Sequence, residues 1–308
     1  MRATWSSPLA FALLLGVATP SSHSRDAVPA APRVLVVLSS DAQPYQDALT
    51  GLRHAAPAGT AFVVVALHGD STRIADVLSA VGADPRPAVI VTFGTMATRN
   101  VLRHVTDLPV VAGMILNPAE LDGAANATAV YLEYPVEVEL EWMTRVLPGH
   151  HRIGIVYHAA EGGRRVEKAR QLASIQAIHI DGPAELPDAL QQLTNRADVL
   201  WSLNDPVVYN PETARSLLLF SLRNRIPMIG QSSAWVRAGA LYALDRDYED
   251  VGAQCAQLMT QVLAGALPAD LAPVPPRKVR YAVNMRTAAD IGLTLSDAVV
   301  RGAAEVVR

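Results

Sequence analysis

From about residue 32 onward, short apolar runs alternate with apolar residues at helical spacing. Residues 34–38 are continuously apolar, as suits a strand covered on both faces. Ala48, Leu49, Leu52 and Ala55 then recur at helical spacing. Residues 62–67 read as the next strand. Ser71 stands as an N-cap before the stripe Ile74, Val77, Leu78 and Val81. Residues 88–93, 95–105 and 109–116 continue as strand, helix and strand. After a polar bridge, "NPAELDGAANATAVYLEYPVE", the pattern restarts. Residues 135–147 predict a helix whose first turn carries Glu137, Glu139 and Glu141, which complements a helix dipole. The predicted strands that follow are 152–157, 175–180, 199–203 and 227–230. The predicted helices are 161–173, 185–196, 211–225 and 248–264. A proline-rich linker, "LPADLAPVPPRK", precedes a last strand over 279–284 and two short helices.

Strands alternating with helices in two successive blocks predict an α/β protein with two Rossmann-like parallel-sheet lobes. One larger α/β sheet is the other reading. In open parallel sheets ligands sit beyond the carboxyl ends of strands, near helix N-termini. The residues just after each strand are therefore the candidate binding set. They are Ser40, Asp41, Gln43 and Tyr45; Thr95 and Met96; Asn117; Tyr157; Asn204, Asp205 and Tyr209; and Gln231 and Ser232. Hydroxyls, amides and tyrosines with few charges suit hydrogen-bonded recognition of a small polar molecule. Each position also has a plainer reading. Ser39, Thr95 and Ser232 fit helix caps, and Asp41 and Asp205 fit turn residues. Tyr45 fits both a stacking platform and a cover for the hinge.

The chain has 308 residues, ample for two domains, and half of them are hydrophobic, so each lobe can bury its own core. A net charge of -3, with no basic cluster interleaved with aromatics, argues against nucleic acid and anionic membranes as partners. Arg2, the apolar run "PLAFALLLGVA" and the small residues of "TPSSHS" have the form of a secretory signal peptide over residues 1–24, cut near 22–31. The run is too short to span a bilayer.

Catalytic signatures are missing: there is no Gly-x-Ser-x-Gly elbow, no Walker loop and no Gly-x-Gly-x-x-Gly after a strand. The eight histidines are scattered, and His150-His151 lies in a turn without carboxylates at metal-binding spacing. Cys255 is the single cysteine and sits among apolar helix positions, which predicts a buried, inert thiol. Neither an enzyme, a cofactor nor a metal site is expected. Trp201, Trp235 and Met96 fit an apolar ligand wall, Trp201 fitting the core better.

Three stretches, "LPVVAGMILNPAEL", "PVEVELEWMTRVLPGHHRIGIVYH" and the long run from "IPMIGQSSAWVRAGALYALDRDYEDVG" to "VNMRTAADIGLTL", resemble ABC transporter solute-binding proteins of the tryptophan/tyrosine-binding group. The resemblance implies the type I periplasmic binding protein fold, with two lobes joined by three crossing strands and a ligand clamped between them. The expected division is residues 33–131 plus 236–274 in the first lobe, and 132–235 plus 275–308 in the second. It also implies ligand roles for Thr95, Met96 and Asp205. Asn117 and Ser232 stand where relatives carry Asp, which admits a neutral or more anionic ligand than an ordinary amino acid. The function implied is capture of a small polar or aromatic, amino-acid-like molecule in the periplasm, for delivery to an ABC permease by a monomeric protein. A periplasmic sensor of the same fold, presenting its closed form to an envelope receptor, is the alternative.

Overall fold

The first sheet has five parallel strands in the order β2-β1-β3-β4-β5. This is seen in a computed structural model that describes residues 31–308; the signal peptide expected over 1–24 lies outside the described residues. The strands are β1 (Arg33–Leu38), β2 (Ala61–Ala66), β3 (Val89–Phe93), β4 (Val110–Ile115) and β5 (Ala127–Tyr131). They are connected through helices α1 (Gln43–Ala55), α2 (Ile74–Val81) and α3 (Thr95–His104). The unbroken apolar run of β1 has its cause in this layering. Val34, Val36 and Leu38 pack on one face, and Leu35 and Val37 on the other, and all are buried.

The second lobe follows as α4 (Val136–Val146), β6 (Ile153–Tyr157), α5 (Ala159–Arg170), β7 (Ile175–His179), α6 (Leu186–Leu193), β8 (Val199–Trp201), α7 (Pro211–Asn224), β9 (Met228–Gly230), α8 (Ser233–Ala238) and β10 (Tyr242–Arg246). The chain then returns to the first lobe as α9 (Tyr248–Leu263). It ends in the second with β11 (Val279–Asn284), α10 (Met285–Asp290), α11 (Asp297–Gly302) and β12 (Glu305–Val307). The seven strands of this sheet run β12-β11-β10-β9-β8-β6-β7, with only the β10–β11 pair antiparallel.

Two expectations are corrected. Residues 236–247, expected in the first lobe, carry the second half of α8 and all of β10, and β10 pairs with β9 and β11 of the second sheet. The polar bridge after β4 contains a strand, β5, and Val274 of the returning segment pairs with it at Val130.

Helix α9 covers one face of the first sheet together with α1, through Val251, Cys255, Ala256 and Met259. Burial pushes the Cys255 thiol well above its ordinary range, so it is held protonated and unreactive. The two helices touch backbone to backbone. A Cβ on Gly252 would lie 1.9 Å from the Ala48 carbonyl oxygen, and one on Gly51 would lie 1.8 Å from that of Glu249.

The chain crosses between the lobes three times: after β5, between β10 and α9, and before β11. Tyr134, on the first crossing, is almost fully buried. Its hydroxyl lies 2.9 Å from the Asp245 carbonyl oxygen and 2.8 Å from that of Lys278, so one side chain meets the other two crossings. Burial pushes this hydroxyl's pKa up, so it is a donor at any physiological pH. Tyr134→Phe is expected to lower stability by about 1 kcal/mol, the net worth of a neutral hydrogen bond. Urea unfolding of the two proteins side by side measures it, and an unchanged midpoint would remove the hydroxyl from the hinge's energetics.

Candidate functional site

The strand-end residues of the first lobe are engaged locally. The Ser40 hydroxyl accepts from the Ala42 amide at 3.2 Å. Asp41 is exposed and pairs with His68. Gln43 donates to Asp47 one helical turn on, at 2.7 Å. Tyr45 is half-buried against Gly94, where φ is +95° and an added Cβ would come within 2.8 Å of the ring. Its hydroxyl pKa is raised by that burial. Thr95 donates to the Glu120 carboxylate at 3.1 Å, and the same oxygen accepts from the Leu116 amide at 2.7 Å. Met96 packs into the core beneath α3. Asn117 caps the short turn Pro118–Leu121 by accepting from the Ala119 amide at 3.1 Å.

In the second lobe, Tyr157 meets the His179 ring edge-on at a centroid distance of 5.6 Å. Tyr209 is buried, and its hydroxyl lies 2.9 Å from the Val156 carbonyl oxygen and 3.2 Å from that of Trp201, the two sharing its one hydrogen. Asp205 has no exposed surface. Its carboxylate accepts three backbone amides: His158 at 2.6 Å, Val207 at 3.1 Å and Val208 at 3.2 Å. It therefore ties the loop after β8 to the start of α5.

Asn204, Gln231 and Ser232 are placed differently. They line a cavity of about 250 Å³ beyond the carboxyl ends of β8 and β9. Ser232 stands at the N-cap position of α8, yet its hydroxyl makes no capping bond. The Gln231 side chain donates to the Leu203 carbonyl. The far wall of the cavity is Leu116, at the end of β4, with Leu132 and Glu133 of the first crossing. Trp201, Tyr242, Ile229 and Leu244 also line it, the two aromatic side chains being almost fully buried. Of the expected residues, only these three face the cavity; Ser40, Asp41, Gln43, Tyr45, Thr95, Met96, Asn117, Tyr157, Asp205 and Tyr209 do not.

The charged members of the site come from elsewhere. Glu139 projects from α4, Arg165 from α5, Arg246 from the end of β10 and Glu133 from the crossing. Arg165 donates to Glu139 at 2.7 Å and to the Tyr134 carbonyl at 2.9 Å, and its guanidinium lies 5.8 Å from the Trp201 ring centre. Burial works against the Arg165 charge, but Glu139 and Glu133 outweigh it and the guanidinium pKa is raised. Burial raises the Glu133 carboxyl against the opposing pull of Arg165. The sequence pattern held one trace of this cluster, the acidic first turn of α4. Among the described residues no group of three or more His, Cys, Asp and Glu side chains is arranged to hold a metal.

A cavity at strand carboxyl ends, beside the crossings of a two-lobed chain, is the arrangement of a solute-binding protein. Residues 60–307 match the family model described as ABC transporter substrate binding protein. The chain belongs to this family. Its members are solute-binding proteins, not enzymes; they act outside the cytoplasm, bind small molecules and work with ABC permeases.

Among curated proteins, the tyrosine-binding protein of Clostridioides difficile is 25% identical over 178 residues, covering 56% of this chain and 50% of that protein. The match thus spans half the length of that relative. Among solved structures, an ABC domain from Streptococcus pneumonia in complex with L-Trp aligns over 90% of this chain and 100% of its own, with TM-score 0.59 and 19% identity. A ligand-free, open substrate binding protein with adhesive properties from Clostridium difficile aligns over 90% and 99%, with TM-score 0.73 and 17% identity. These likenesses show the fold: two parallel-dominated α/β lobes of the type I periplasmic binding protein class.

Proposed function

We propose that this protein captures a small amino-acid-like molecule in the cavity between the first crossing and strands β8 and β9, and delivers it to an ABC permease. The observation that carries this reading is the pairing of both charge signs with aromatic walls in one small cavity. Glu133, Glu139, Arg165 and Arg246 share its lining with Trp201 and Tyr242, and with Asn204 and Ser232. Such a site suits a molecule with ammonium, carboxylate and a flat or apolar side chain. The names of the relatives, tyrosine-binding in one case and L-Trp-bound in another, support the same class. Export through a cleaved signal peptide into the periplasm, and a monomeric state, complete the proposal.

Thermal unfolding of the mature protein with L-tyrosine, L-tryptophan, aliphatic amino acids, sugars and nucleobases tests it. A ligand that binds only the folded form at a hundred times its Kd adds about 2.7 kcal/mol, enough to move the midpoint visibly. A rise with an aromatic amino acid and none with sugars is expected. A rise confined to sugars or nucleobases would sink the amino-acid reading.

A further inference from the structure

The four charges of the cavity are not equivalent. Arg165 and Glu139 are already a close pair at 2.7 Å, with side chains only 15% and 19% exposed. Glu133 is different. Its one cationic partner within ion-pair range is Arg165, at 3.8 Å, beyond hydrogen-bonding distance, and no described group donates a hydrogen bond to its carboxylate. Arg246 is different in the opposite sense. Its Nε donates to the Leu132 carbonyl at 3.0 Å and its Nη1 to the Gln231 carbonyl at 3.1 Å, both neutral acceptors. Its guanidinium lies 5.5 Å from the Tyr134 ring centre, and no carboxylate among the described residues comes within ion-pair range of it.

One cation thus faces the cavity with no carboxylate in ion-pair range, and one anion with only the long contact to Arg165 and the more distant pull of Arg246. A half-buried charge so weakly compensated is costly, and an occupant supplying a bonded opposite charge relieves it. A guanidinium has five N–H donors in a planar fork, and two of those of Arg246 are engaged. The two carbonyls and the Tyr134 ring fix its plane before any ligand arrives, so little rotamer freedom is left to lose on binding. A carboxylate directed at Arg165 instead would have to displace Glu139 and would lie beside two carboxylates, Glu133 and Glu139.

We infer that the occupant lies across the cavity with its carboxylate on Arg246 and its ammonium on Glu133, while Arg165 and Glu139 form a fixed internal pair that holds the wall in place. The inference rests on the amino-acid reading given above. It assigns the two ends of the ligand to two residues, one at the end of β10 and one on the first crossing. Both lie at the hinge, so a zwitterion bridging them engages two of the three crossings at once.

Calorimetric titration with three related probes tests the assignment: L-tryptophan, tryptamine, which lacks the carboxylate, and indole-3-propionate, which lacks the ammonium. In Arg246→Gln the ratio of L-tryptophan to tryptamine affinity is expected to fall at least about tenfold, since a charge-assisted bond is lost for one probe only. In Glu133→Gln the ratio of L-tryptophan to indole-3-propionate affinity is expected to fall by a similar factor. Arg246→Lys, which keeps the charge without the fork, should recover part of the loss and serves if the glutamine variant folds poorly. If the variants weaken all three probes in equal proportion, or if the two ratios respond to the opposite residues, the orientation is overturned. If the wild-type protein binds L-tryptophan and L-tyrosine but the ratios do not move, the orientation alone fails. If it binds no zwitterion, the amino-acid reading fails first and the orientation falls with it.

Discussion

Gly252→Ala is expected to destabilise the first lobe by at least about 2 kcal/mol, although alanine is the better helix former. The propensity gain is about 1 kcal/mol for a glycine replaced within a helix. Against it stands a methyl group placed 1.9 Å from the Ala48 carbonyl oxygen and 2.8 Å from the Leu52 amide nitrogen. Neither neighbour is a side chain that can swing aside. The helices α1 and α9 would have to separate, and their shared face includes Leu49, Leu52, Val251 and Cys255, all buried. Overpacking of this kind costs roughly 1–3 kcal/mol where side chains can yield, and more where only backbone can. Gly51 faces Glu249 in the same way, so the two glycines form one reciprocal contact. Urea unfolding is the measurement, with the midpoint falling and the slope preserved. A midpoint equal to or above wild type would show that the helices can part at no cost.

Asp205→Ala is expected to cost about 3 kcal/mol or more in the ligand-free protein. The carboxylate is fully buried and its bonds go to backbone amides of His158, Val207 and Val208. Removing it strands one buried and two part-buried backbone donors, a fully buried one carrying a desolvation penalty of about 1–3 kcal/mol unless water enters. Asp205→Asn keeps an acceptor oxygen and should lose less. On sequence alone Asp205 fits either a ligand contact or a turn residue, and as a ligand contact its loss would reduce affinity at least about tenfold with the fold intact. The two roles separate cleanly in a thermal melt without ligand. A normal melt with weakened binding would return Asp205 to the ligand.

Much of the architecture was legible along the chain, and the exceptions have causes. β1 and α9 stand out because each meets its neighbours through an unbroken run or a clean stripe of apolar residues. β5, β10 and β12 do not. "ATAVY" lies within a polar bridge, "YALDR" ends in an acid and a base, and "EVV" is three residues long. Tertiary pairing makes them strands, and pattern alone cannot supply it. In the site, Asn204, Gln231 and Ser232 followed from the strand-end rule. Ser40, Thr95 and Asn117 obey the same rule, but their polar atoms are taken up by local hydrogen bonds. A cap and a ligand contact use the same chemistry, so no one-dimensional signal separates them. Glu133, Arg165 and Arg246 were missed because their meeting depends on how the crossings and β10 come together.

The hydroxyl of Tyr134 carries a single hydrogen but faces two carbonyl oxygens on different crossings, at nearly equal distances. At any instant it can serve one of them fully. Rotation of the O–H bond alone switches it between the two, with no movement of the ring. One atom thereby ties the first crossing to both of the others. Losing that atom would loosen two of the three connections between the lobes at once.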